Sequence, residues 1–294
     1  MEKFKLNMNS VILYHNGTEY DYTFSKQQER GDIHSISKPI TCLCMGLAIE
    51  QGYFPLGLNE PIIKYLNDYE IISDSNRAYL QESTIWHLLT LTLGHEKMLL
   101  SSKSIADLGD ANLVDYVLNE PILHKPGSYF AYTSSAAYLV SFIIQKVTKL
   151  KLLDYAKKNL FNPLGILDVE WRESLQGYSL GCTGVTIANS DLNKIGQLFL
   201  NNGVHNGMRI VSSEWIKKMK SIQVKTPNMF NPASAIPKYG YGLNLWICDN
   251  GNYFCDGTDG QYIIVIPSKE IVISTIGNQS DMSMISECLR EIIC

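Results

Sequence analysis

His34-Ser35-Ile36-Ser37-Lys38-Pro39 contains the only Ser-x-x-Lys of the chain, and Ile40, Leu43, Cys44, Leu47 and Ala48 follow it at helical spacing up to Gly52. That periodicity predicts an amphipathic helix starting near Ser35. Residues three apart on a helix share a face, so the Lys38 amine can reach the Ser35 hydroxyl. A serine hydroxyl is a poor nucleophile until a neighbouring base takes its proton, and Lys38 is spaced to be that base. Pro39 agrees, because proline is tolerated in the first turn of a helix and breaks its middle. Ser35 then sits at the helix N-terminus, where free N–H groups and the positive end of the dipole suit an oxyanion forming on an attacked carbonyl. The competing reading of the same residues is an N-capping serine beside a solvated surface lysine.

Working outward, Val11-Ile12-Leu13-Tyr14 and Tyr20-Asp21-Tyr22-Thr23-Phe24 flank Asn16-Gly17, a hairpin turn pair. Ala136, Val140, Ile143, Ile144 and Val147 mark one face of a helix from about residue 134 to 149. Near the end, Tyr253-Phe254, Tyr262-Ile263-Ile264-Val265-Ile266 and Ile271-Val272-Ile273-Ser274-Thr275-Ile276 read as strands between turns, with a closing helix from about 281 to 293. Strands at both ends with helices between them predict an α/β fold whose sheet is built from both chain ends, with a mostly helical lobe inserted. The expected organisation is one domain over 1–294, with an α/β part from 1–50 and 200–294 and a mostly helical part from 51–199.

The chain has 294 residues, 45% apolar and 18% charged, which is globular composition near the upper size of one core. Its formal charge of −4, without a Lys and Arg cluster, argues against nucleic acid as a partner. The start, Met1-Glu2-Lys3-Phe4-Lys5-Leu6-Asn7, has no apolar signal-peptide run, and no stretch has the apolar length of a membrane span. Seven cysteines, an odd number lying in apolar patterns, are expected to be reduced and buried, which predicts a cytoplasmic location. The six histidines show no metal-binding spacing, so no metal and no other cofactor is expected; His34 and His87 read as structural hydrogen-bonding groups.

Further segments fall in a recognisable order. Ile85-Trp86-His87-Leu88-Leu89-Thr90 is followed by Pro126-Gly127-Ser128-Tyr129-Phe130-Ala131-Tyr132-Thr133-Ser134, Leu160-Phe161-Asn162-Pro163-Leu164-Gly165-Ile166, Gly207-Met208-Arg209-Ile210-Val211-Ser212 and Gly260-Gln261-Tyr262-Ile263. With the Ser35 segment at their head, these stretches resemble the serine β-lactamase and penicillin-binding-protein superfamily, in its branch of class C-like esterases and amide hydrolases. The resemblance spans nearly the whole chain. It implies a β-lactamase-like fold with an antiparallel sheet flanked by helices, and an acyl-enzyme mechanism acting on a small ester or amide. It makes Ser35 the acylated nucleophile, Lys38 its proton partner and Tyr132 the second base. A phenol, with an unperturbed pKa of about 10, serves as a base only if a cation favours its ionised form, and Lys38 is that cation.

Two positions depart from the family pattern. Ser134 stands where many relatives carry Asn at the end of the Tyr-x-Asn triplet, and Cys255-Asp256-Gly257 stands where they carry Lys-Thr-Gly or His-x-Gly. The resemblance places the oxyanion N–H just after that triplet, at Thr258, and Gly257 and Gly260 suit a strand edge that lets substrate approach. Without a lysine or histidine to hold a β-lactam carboxylate, β-lactamase activity is not expected. Asp256 either faces the cleft and repels anions or caps a turn in solvent. A non-catalytic peptide- or partner-binding module is the alternative function. Gly177-Tyr178-Ser179-Leu180-Gly181 matches a nucleophile elbow, but a polar stretch precedes it and no helix pattern follows, so Ser179 reads as a loop residue.

Overall fold

Asn16 and Gly17 take positive φ angles of 49° and 82°, and the tight turn they make folds β1 (Met8–His15) back onto β2 (Thr18–Thr23). The structure is a computed structural model that describes residues 6–25, 30–226, 236 and 238–293. Six further strands complete the main sheet: β3 (Val224–Lys225), β4 (Gly240–Tyr241), β5 (Trp246–Ile247), β6 (Tyr253–Gly257), β7 (Gln261–Ile266) and β8 (Ile271–Gly277). Their order is β2-β1-β8-β7-β6-β5-β4-β3, with every neighbouring pair antiparallel. β1 pairs with β8, for example Ile12 opposite Ser274, so the two chain ends do build one sheet.

Side chains alternate across a strand, and the alternation here divides the sheet between two helices. On one face lies α3 (Asn189–Leu200), the third of four long helices after α1 (Ser37–Glu50) and α2 (Ser135–Thr148). Its Asn189 amide donates to Ser10 Oγ at 2.9 Å and its Asn193 amide to Ser274 Oγ at 3.1 Å. On the other face Val11, Leu13 and Ile273 line an apolar pocket together with Ile285 and Leu289 of α4 (Met282–Ile293). Strands covered on both faces have no polar side, which is why β7 and β8 read as near-continuous apolar runs. Residues 189–200, within the stretch assigned to the helical part, thus pack on the sheet.

The helix α1 departs from expectation. Ser37 through Ala48 are all buried, so it has no solvent face and is not amphipathic. It packs against α2 on one side, the turn before it rests on β6 and β7, and Trp215 closes another side. The Trp215 indole donates to the Cys42 carbonyl at 3.1 Å, and a Cβ on Gly46 would come within 2.4 Å of its Cδ1. Gly46 is therefore the position that lets the indole seat on the helix. A second, three-stranded sheet of Arg30–Asp32, Val185–Ala188 and Glu170–Trp171 holds the segment leading into Ser35.

Cys42, Cys44, Cys182, Cys248 and Cys255 are buried and Cys288 is half-buried, none of them in a disulfide, while Cys294 and residues 1–5 lie outside the described residues. No described helix is long and apolar enough to cross a membrane. Gly46→Ala is expected to destabilise the fold by about 1–3 kcal/mol through overpacking against a rigid indole, read as a fall in denaturant midpoint with an unchanged slope.

Candidate active site

One tight turn, His34–Ile36, leads into α1 and leaves Ser35 half-buried at its mouth. The Lys38 amine donates to Ser35 Oγ at 2.8 Å and to the Cys182 carbonyl at 3.3 Å. Lys38 is 1% exposed, so the charge of an ammonium there is not solvated. Burial lowers its pKa to about 8, opposed in part by Cys182 and Asp256. The Cys182 thiol is itself raised by burial and neutral near pH 7, which leaves Asp256 as the charged neighbour.

The Cys182 carbonyl is placed by the loop before it. Thr41 Oγ1 donates to the Gly181 carbonyl at 2.7 Å and Ser141 Oγ to the Ser179 carbonyl at 2.6 Å. Gly181 has φ 68°, and a Cβ there would lie 2.3 Å from the Ser141 Cβ. The Gly177–Gly181 stretch is thus a packed loop that runs into the strand Val185–Ala188. No helix follows Ser179, and its hydroxyl is fully buried.

Tyr132 completes the cluster. Lys38 Nζ lies 5.0 Å from its ring centroid, Trp246 stacks on it at 5.4 Å and 21°, and Tyr241 meets it edge-on. This enclosure pushes the phenol well above its usual pKa, Asp256 adds to the rise, and a hydrogen bond with Ser35 opposes it. At neutral pH Tyr132 carries its proton.

β6 runs along the nucleophile turn so closely that a Cβ on Gly257 would meet the Ile33 carbonyl oxygen at 2.5 Å and the His34 Cβ at 3.2 Å. Gly257 is small for the approach of the protein's own backbone, where the sequence suggested an approach of substrate. Thr258 follows, exposed, in the turn Thr258–Gly260, whose Gly260 is buried. Neither expectation for Asp256 holds. Its carboxylate accepts from Trp246 Nε1 at 3.0 Å and pairs with Lys238 Nζ at 3.4 Å, so it neither caps a turn in solvent nor presents an unpaired charge. The side chains of Asp256 and Lys238 are 18% and 6% exposed, and Lys238 lies 4.0 Å over the Trp246 ring. Ser134 precedes α2 and is buried, with its N–H on the Leu99 carbonyl.

Ser35, Lys38 and Tyr132 are therefore brought together, with Gly257 and Thr258 on the adjoining strand end, while Asp256 faces protein partners and Ser134 is buried at the start of α2. His87 accepts the Thr84 N–H through Nδ1 at 3.0 Å and caps its own helix. Among the described residues no group of three or more His, Cys, Asp and Glu side chains is placed to hold a metal. Sequence reasoning missed Trp246, Lys238 and the Cys182 carbonyl. The first two sit on a distant strand and loop without a motif, and a carbonyl has no side-chain signature.

An antiparallel sheet between helices, with a Ser-x-x-Lys turn pressed against the strand end at Gly257, defines a β-lactamase-like fold. The chain belongs to the beta-lactamase family, whose model matches residues 10–286. It is 27% identical over 158 residues to a 6-aminohexanoate-dimer hydrolase of Paenarthrobacter ureafaciens, a match covering 52% of this chain and 40% of that protein. The chain thus spans less than half the length of that curated relative. Solved structures share the fold, among them these two. The octameric penicillin-binding protein homologue from Pyrococcus abyssi superposes with a TM-score of 0.78 at 22% identity, over 98% of this chain and 74% of that one. EstCE1, a hydrolase with promiscuous acyltransferase activity, gives 0.75 at 14% identity, over 97% and 95%.

Asp256 holds the Lys38 pKa up, so Asp256→Asn is expected to move it below the wild-type value of about 8. Titration of the Lys38 side-chain NMR resonance measures the shift, and an unmoved or raised midpoint contradicts the coupling.

Proposed function

We propose that the chain is a serine hydrolase that cleaves a small ester or amide through an acyl-enzyme on Ser35. The observation that carries this reading is the 2.8 Å contact between a buried Lys38 amine and the hydroxyl of a half-buried Ser35. With its pKa lowered to about 8, Lys38 is partly neutral at physiological pH and can accept a proton. As Ser35 Oγ bonds to the substrate carbonyl carbon, its proton passes to Lys38, and the carbonyl oxygen gathers negative charge. The N–H groups of Ser35 and Thr258 are the donors proposed to hold that oxygen. Tyr132, protonated, then gives its proton to the leaving oxygen or nitrogen as that bond breaks. This makes Tyr132 a proton donor in the first half of the cycle, where the family resemblance implied a second base. The Lys38 ammonium restores the phenol, and water releases the acyl group by the same route in reverse.

The hydrolases among the relatives and structural neighbours favour this reading over a non-catalytic binding module. β-Lactams are disfavoured as substrates, since Cys255 supplies no charge and Lys238 is committed to Asp256. Neutral esters and amides need no such cation.

Ser35→Ala is expected to lower hydrolysis of a p-nitrophenyl ester by at least ~10³-fold, while Ser179→Ala leaves it unchanged. Equal rates in wild type and Ser35→Ala overturn the proposal. The pH profile carries a second expectation. The base is the neutral amine, so kcat/KM rises with pH through the Lys38 pKa of about 8 and levels off above it. In Asp256→Asn the rise moves to lower pH, and a rate that falls over this range contradicts the assignment of the base.

A further inference from the structure

We infer that His34 and Asp259 form a positioning pair that fixes the distance between the two oxyanion donors. The inference rests on the serine hydrolase reading above. His34 immediately precedes Ser35 and Asp259 immediately follows Thr258, so a contact between their side chains ties together the neighbours of both N–H groups. That contact is present: His34 Nε2 lies 3.3 Å from Asp259 Oδ2.

Three observations show that this link is held from both sides. Asp32 Oδ1 accepts the His34 backbone N–H at 2.8 Å and lies 3.8 Å from Nδ1, so the imidazole is placed between two carboxylates. His34 and Asp259 both adopt left-handed backbone, with φ of 47° and 64°, a conformation that costs energy in any residue but glycine and persists where surrounding contacts impose it. The Asp259 carbonyl in turn accepts the Gln279 N–H at 2.9 Å, which anchors the turn to the chain beyond β8.

The geometry matters because β6 meets the nucleophile turn through bare backbone at Gly257. Gly257 presses backbone against Ile33 and His34, and beyond it the chain turns away at Thr258. A cavity of about 130 Å³ opens beside the pair, lined by Asp32, His34, Asp259 and the amides of Asn9, Gln261 and Asn278. Without the imidazole–carboxylate contact, the exposed Thr258–Asp259 part of the turn could move into that space and carry the Thr258 N–H off its line to the carbonyl oxygen. Oxyanion donors act by being fixed before the reaction, so such looseness is felt in the transition state and little in substrate binding.

Asp259→Gly tests this cleanly, because glycine accepts the left-handed backbone and only the side chain is lost. We expect kcat on the ester to fall ~10- to 100-fold with KM within about twofold. The inhibition constant of a boronic acid, whose tetrahedral adduct places an oxygen at the oxyanion position, should rise in proportion. Asp259→Asn keeps an acceptor and tolerates the same backbone, and should retain most of the rate. His34→Gly should match Asp259→Gly, and the double variant should be no slower than the slower single. Unchanged kcat in Asp259→Gly, multiplicative losses in the double variant, or boronate affinity that stays constant while kcat falls would each overturn the pair. If His34→Gly does not fold, the two Asp259 variants decide alone. Ser35→Ala in the same assay separates the two levels: its inactivity beside a fully active Asp259→Gly refutes the pair alone, and its activity refutes the hydrolase reading.

Discussion

A lysine amine without water is the constraint around which this site is arranged. Lys38 is enclosed on all sides, and its direct partners are a hydroxyl and a carbonyl, with no carboxylate in contact. An ammonium so placed is costly, and the cost is relieved by release of the proton. The surrounding structure tunes that release. The loop through Gly181 supplies a carbonyl that steadies the amine, and Asp256 acts from farther away to keep the proton from being lost altogether. Burial sets the direction and a remote charge moderates it.

The same carboxylate links the amine to the aromatic wall. Trp246 donates to Asp256, stacks on Tyr132 and carries Lys238 over its ring. A cation over an aromatic face and a paired carboxylate beside it are mutually supporting, since each partner is shielded from water. Cys255-Asp256-Gly257 is thus a rearranged charge pattern. The charge faces its neighbours within the protein, and the outer cleft is left without a fixed cation from this motif.

Legibility in the sequence followed the range of the interactions. The Asn16-Gly17 hairpin, the helix at Ser135–Thr148 and the apolar strands near the end are written in local spacing, and their pairing across the chain ends followed from strands lying at both termini. The Ser35–Lys38 contact was legible for the same reason, as one turn of helix connects the two residues. The partners of Asp256 were not, because Trp246 and Lys238 reach it only through strand order in the finished sheet. The environment of α1 was misread because apolar periodicity reports one buried face, while small or polar residues such as Gly46 and Thr41 are buried by a seated indole and a loop carbonyl.

Enclosure of α1 also bears on how the molecule comes apart. Local opening draws on segments with exposed hydrogen bonds and few buried contacts, and a helix without a solvent face offers neither. The amides of Thr41 to Ala48 therefore belong with the slowest-exchanging group, released only when the whole fold opens. The turn at Thr258–Gly260, where Thr258 and Asp259 are exposed, is held instead by a few single contacts, from the His34 imidazole, the Gln279 N–H and the Thr275 hydroxyl. Nucleophile and base thus share the lifetime of the global fold, while the adjoining turn keeps its place only as long as those individual contacts do.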